Sequence, residues 1–223
     1  PETPAKGVLI MFPGGEGANH FQVKKGQIKL GINFLVRTSP DFVARGLAAA
    51  IVDVPSDQSW GMSDAFRTSH KHELDIRAVI DFLSDQGLNP IFLVGTSRGT
   101  LSVAYLGTIL EDKRIEGMVL TSSLGGSRFL EGFPLNKIPY PVLIVHHLHD
   151  ECKVSQFLGA KELISKFSQS PNVDFVEVQG GKSPQSGPCQ PLSYHGFWGM
   201  EKPVVDVITN WIFGNPIPRK IVP

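Results

Sequence analysis

Apolar runs of strand length recur along the chain at residues 8–12, 48–54, 90–94, 117–121, 141–145 and 173–178. A sheet with one wet face would alternate apolar and polar positions, whereas most of these runs are apolar throughout, so they read as parallel strands buried on both faces. Between them lie patterns of helical period, roughly at 33–45, 70–85, 99–110, 154–167 and 201–213. Strands alternating with helices imply βαβ units, hence an α/β protein whose mostly parallel central sheet has about six strands with helices on both faces.

A length of 223 residues with 41% hydrophobic content suffices for one substantial core, and a single domain over 1–223 is expected. The 17 prolines and 23 glycines fall in turns, without repeats or low-complexity tracts that would mark a linker. Twenty-one basic residues balance 21 acidic ones, which removes the charge argument for a nucleic-acid partner. No run of about 18 apolar residues suggests a membrane span. The start at Pro1-Glu2-Thr3-Pro4, with neither methionine nor a basic-then-apolar leader, is what a mature or trimmed product would show.

In parallel sheets, ligands bind beyond the carboxyl ends of the strands, so the segments that follow the apolar runs are the candidates for chemistry. They are Pro13-Gly14-Gly15-Glu16-Gly17, Pro55-Ser56-Asp57, Gly95-Thr96-Ser97-Arg98-Gly99, His146-His147-Leu148-His149-Asp150 and the loop from Gln179 to His195. The third is the most informative. A strand, Ile91-Phe92-Leu93-Val94, runs straight into it and a helical pattern follows, the context in which a G-x-S-x-G turn exposes a serine hydroxyl. Flanking glycines leave room where a side chain would meet backbone, and the helix N-terminus favours negative charge developing on a reacting carbonyl oxygen.

This strand, turn and helix resemble the nucleophile elbow of the α/β-hydrolase family, here of the small, cap-less, esterase-like or dienelactone-hydrolase-like kind, and the resemblance spans residues 8–213. It implies the chain order nucleophile, acid, histidine, with Ser97 as nucleophile. Asp150, after the strand at 141–145, takes the place of the acid, with Glu151 as its neighbouring competitor; Asp53 and Asp57 precede the serine and fit the order poorly. His195 takes the place of the base. His20, His70 and His72 come before the serine, and His146, His147 and His149 belong to the acid-bearing segment. The resemblance further implies an oxyanion hole formed by the N–H of Arg98 and of Gly15, with Pro13 standing where the family carries histidine. Only residues 122–140 separate two strands where many relatives insert a cap, so an open cleft is expected, with Trp60, Met62, Phe129, Phe133, Phe197 and Trp198 as possible apolar contacts for substrate.

Three histidines beside Asp150 and Cys152 also raise the question of a metal site. No regular ligand pair such as H-E-x-x-H occurs, and alternate residues at a strand end point to opposite faces, so these histidines are expected to pack and hydrogen-bond around the strand end. Neither metal nor cofactor is expected. The two cysteines, Cys152 and Cys189, lie on the loops that must bring acid and base together; a disulfide between them is expected, and with it a periplasmic or secreted location.

The chemistry expected is carboxylic ester hydrolysis on a small-molecule or polymeric substrate, through an acyl-enzyme. Thioester hydrolysis, acyl transfer or peptide hydrolysis would use the same residues, and a non-catalytic binding domain would keep the same fold.

Overall fold

A computed structural model describes residues 4–19, 21–24, 27–125, 130 and 132–222. The apolar runs form a parallel sheet of seven strands: β1 (Val8–Phe12), β4 (Ala48–Ile51), β5 (Ile91–Thr96), β6 (Ile115–Thr121), β7 (Val142–His147), β8 (Val173–Val178) and β9 (Lys220–Ile221). Their order across the sheet is β4-β1-β5-β6-β7-β8-β9, and all the pairings are parallel. The seventh strand was not expected. With two residues it carries no periodicity, and it exists only because Ile221 joins the edge of β8 opposite Val178.

Successive residues of each central strand feed opposite cores, which is why the runs are apolar at every position. Val8, Ile10, Phe12, Leu93, Leu120 and Ile144 pack under helices α3 (His70–Asp85) and α4 (Gly99–Ile109). Leu9, Met11, Val94, Val119, Leu143 and Val145 pack under α1 (Phe34–Ala44) and α6 (Glu201–Ile212). Helices thus cover both faces, as the alternation of elements predicts.

Local signals set the helix starts. The Asn33 side chain accepts the Leu35 N–H at 3.1 Å to cap α1, and Ser69 accepts the His72 N–H at 3.2 Å to cap α3. A short helix, α2 (Asp64–Arg67), capped by Ser63, precedes α3; four residues are too few to leave a period. The helix expected over 154–167 is shorter, α5 (Phe157–Glu162), and tightens into a 3-10 turn at Leu163–Lys166. The strand expected over 48–54 ends at Ile51, where the chain leaves the edge of the sheet. Residues Gln22–Lys24 (β2) and Gln27–Lys29 (β3) make a separate antiparallel pair between β1 and α1 in the chain.

Candidate active site

Ser97 stands between β5 and α4 with φ +51°, a left-handed conformation that non-glycine residues adopt at a cost of roughly 1–3 kcal/mol. Surrounding hydrogen bonds impose it: the Ser97 N–H donates to Thr121 O at 3.0 Å, and the Ser97 carbonyl accepts from the Thr100 N–H at 2.9 Å and the Thr100 hydroxyl at 2.6 Å. The glycines of the turn are required by contact. A Cβ on Gly95 would lie 2.7 Å from Gly99 O, and one on Gly99 would overlap the Phe12 carbonyl. Gly14 has the same role across the cleft, since its Cβ would come within 2.9 Å of Ser97 Cβ.

His195 sits in a 3-10 turn, Tyr194–Gly196, that is capped by the Ser193 hydroxyl and held from below by the buried Ser122, whose Oγ donates to His195 O at 2.6 Å. Its Nδ1 is 2.8 Å from Asp150 Oδ2. The ring is nearly buried, and its Nε2 has no hydrogen-bond partner among the described residues. Ser97 and His195 line one cleft of about 740 Å³, walled by residues 14–19, by 29–34 and by Cys189, Gln190 and Pro191.

Asp150, at the end of the loop that leaves β7, is buried and heavily solvated by protein donors. Oδ1 accepts the Cys152 N–H at 2.9 Å, and Oδ2 receives His195 together with the Ser155 hydroxyl at 3.1 Å. His146 Nε2 approaches the same oxygen at 3.4 Å while contacting Ser155 O at 2.9 Å. Burial alone would raise the pKa of this carboxyl; the hydrogen bonds and positive potential of His146 and His195 outweigh it and hold the pKa at about 2. Asp150 is therefore a carboxylate at any pH where a histidine can act as a base. Glu151, its competitor, is exposed.

Cys152 and Cys189 form a disulfide with their Cα atoms 4.6 Å apart, joining the loop of Asp150 to the segment leading to His195. The neighbouring histidines are engaged with protein groups. His147 Nε2 lies 2.9 Å from Gly180 O with its ring stacked on Tyr194, and its Nδ1 accepts the His149 N–H at 3.1 Å.

Neither a family model nor a curated protein matches this chain. Solved structures do. An esterase described as cold-adapted, from an Arctic intertidal metagenomic library, superposes with a TM-score of 0.57 at 18% identity, over 94% of this chain and 84% of that one. An alpha-beta serine hydrolase homologue from Coxiella burnetii gives 0.61 at 16% identity, over 95% and 88%. A sugar hydrolase from Lactococcus lactis gives 0.61 at 16%, over 96% and 90%.

The chain has the α/β-hydrolase fold.

Within that fold, Ser97, Asp150 and His195 follow β5, β7 and β8 in chain order, and all lie at the carboxyl edge of the sheet. Among the described residues, the apolar contacts expected for substrate do not line the cleft. Met62 is buried and borders a second, apolar hollow of about 320 Å³ beside β4. Phe197 is fully buried, its ring edge-on to Phe34 with centroids 4.9 Å apart. Trp198 lies under the Lys182 ammonium, Trp60 is 94% exposed, and Phe133 packs on Tyr105. Phe129 lies outside the described residues. Aromatic type and proximity in sequence cannot say which way a side chain faces; the apolar lining comes instead from Leu30, Ile32, Phe34 and Val36.

Three groups that shape the site carry no sequence signal of their own. Ser122 and Ser155 are ordinary serines until the fold places them under His195 and Asp150. Arg67 looks like one more surface cation, yet it is completely buried beneath the loop of residues 13–17.

Proposed function

We propose that this protein is a serine hydrolase that cleaves carboxylic esters through a Ser97-His195-Asp150 triad. The observation that carries the reading is the conjunction of a left-handed Ser97 at a strand-to-helix turn with a carboxylate-bound His195 opening on the same cleft. Asp150 accepts the Nδ1–H, which leaves Nε2 as the lone pair that takes the serine proton. Ser97 Oγ attacks the ester carbonyl, the tetrahedral oxyanion is held by the Arg98 N–H and by a second N–H from the Gly14-Gly15-Glu16 loop, and the alcohol leaves with the proton from His195. Water then attacks the acyl-enzyme with the same imidazole as base, releasing the acid and free Ser97.

The Arg98 amide has no acceptor among the described residues and stands at the N-terminus of α4, as an oxyanion donor requires. Names of neighbouring structures, an esterase and a serine hydrolase homologue, agree with this chemistry. The open cleft suits a bulky or polymeric acyl ester, and the disulfide suits an oxidising compartment outside the cytosol.

The test is labelling with a fluorophosphonate probe and turnover of a short p-nitrophenyl ester, each repeated with Ser97→Ala. Loss of both signals in the variant is expected. Labelling that survives the substitution, or a wild type inert to both reagents, overturns the reading.

A further inference from the structure

A buried arginine normally pairs with a carboxylate, because an isolated charge in the interior is costly. Arg67, fully buried at the end of α2, has no ion-pair partner among the described residues. Its Nη1 donates to Ser102 Oγ at 3.2 Å, and its Nη2 donates to Pro13 O and Gly15 O, each at 3.2 Å. Gly17 leaves the space for it, since a Cβ there would lie 2.7 Å from Nη2. Nη2 is thus spent on two carbonyls of the loop that faces Ser97, Nη1 anchors the group on α4, and the buried Nε has no partner among the described residues.

The loop itself is a tight turn closed by the Gly17 N–H on Gly14 O at 3.2 Å. Gly15 has φ +60° while Glu16 does not enter the left-handed region, the pattern of a type II′ turn, in which the first central position favours glycine. In a trans peptide the C=O and the following N–H point in opposite directions. A Gly15 carbonyl drawn inward to Arg67 therefore turns the Glu16 N–H outward, on the side where Glu16 borders the cleft. No acceptor meets that N–H among the described residues, whereas the Glu16 carbonyl is fixed by the Met62 N–H at 2.7 Å.

We propose that Arg67 is a positioning residue that locks the Gly15-Glu16 peptide so that the Glu16 N–H, rather than that of Gly15, is the second oxyanion donor. This rests on the ester-hydrolase reading above. Arg67 touches no substrate; it acts by preorganising a dipole before the oxyanion forms, which is where such donors gain their effect. Arginine suits the task because its planar fork can serve three acceptors at once, which a lysine ammonium in the same space does less well.

The experiment compares wild type with Glu16→Pro, Arg67→Met and Arg67→Lys. Proline removes the Glu16 N–H at an exposed turn position of negative φ and keeps the carbonyl that accepts from Met62; it also removes the Glu16 carboxylate, for which Glu16→Ala, expected to keep kcat within about threefold, is the control. Measured are kcat and KM on a p-nitrophenyl ester, affinity for a trifluoromethyl ketone that forms a tetrahedral adduct, and circular dichroism. Expected are a fall in kcat of about 100-fold for Glu16→Pro and at least about 10-fold for Arg67→Met, partial recovery in Arg67→Lys, KM within about threefold, and ketone affinity falling in step with kcat. If Arg67→Met does not fold, Arg67→Lys and Glu16→Pro carry the comparison. A folded Glu16→Pro or Arg67→Met that keeps kcat within about threefold of wild type, or a loss seen only in KM with ketone affinity intact, overturns the proposal. Inert wild type removes the hydrolase reading itself; active wild type with equally active variants removes only the roles of Arg67 and Glu16.

Discussion

Asp150 Oδ2 lies 2.8 Å from His195 Nδ1, although 45 residues separate the two in the chain. The contact sets which ring nitrogen carries the proton, so its loss should act on the chemical step and not on substrate capture. Asp150→Asn is expected to lower kcat by about 10³–10⁴-fold with little change in KM, because the amide can present a donor to Nδ1 and favour the wrong tautomer. Steady-state kinetics on a p-nitrophenyl ester decide it, and a variant within 10-fold of wild type in kcat contradicts the triad.

The disulfide closes a span of 37 residues that includes β8. Loop-closure entropy for that span corresponds to about 4 kcal/mol of stabilisation at 25 °C. The double variant Cys152→Ser with Cys189→Ser should lower the urea midpoint accordingly. It should also depress kcat, since Cys152 N–H binds Asp150 and Cys189 borders the cleft. Equal midpoints for the two proteins contradict the stabilising role.

His72 gives the molecule an acid-sensitive element. Burial, reinforced by the positive charge of Arg67, lowers its pKa from 6.5 to about 4, so the unfolded chain binds a proton there more readily than the native one. Stability from this group is complete above pH 6.5 and falls as the pH drops towards 4, by roughly 3 kcal/mol in all. Asp150, lowered to about 2, adds a second loss beginning below its ordinary 3.8. Urea denaturation across this range should show the first slope in wild type and a flatter one in His72→Phe, whose ring can occupy the site between Phe12 and Phe66 without charging. Parallel slopes contradict the assignment to His72.

Gly99→Ala tests the close approach of α4 to β1. The added methyl would overlap the Phe12 carbonyl, a backbone atom at the carboxyl end of β1, between β4 and β5, that cannot swing aside. Overpacking of this kind costs about 1–3 kcal/mol or more, and the helix shift should also displace Ser97. A drop in thermal midpoint together with loss of fluorophosphonate labelling is expected; unchanged values of both would show that the turn has room to spare.

The elements that were legible in advance are those with a long, undisturbed pattern. Runs such as Val8–Phe12 and Val142–His147 announce strands buried on both faces, and G-x-S-x-G after a strand marks Ser97 as the exposed turn. The chain order that the α/β-hydrolase resemblance implies then points to Asp150 and His195. Elements of two to four residues, β2, β3, β9 and α2, complete less than one or two periods and leave no trace.

By itself the sequence determined the alternation of strands and helices, hence a parallel sheet with two cores, and it named the residues placed at the carboxyl ends of the strands. These follow from local periodicity and steric rules, which need no distant partner. Tertiary structure alone decided the faces and the second ring of contacts: Phe197 turned into the core, Trp60 left in water, Ser122 and Ser155 under His195 and Asp150, and Arg67 inward on Gly15. Most such roles depend on segments far apart in the chain, 52 residues for Arg67 with Gly15 and 73 for Ser122 with His195, and side-chain type carries no record of that meeting.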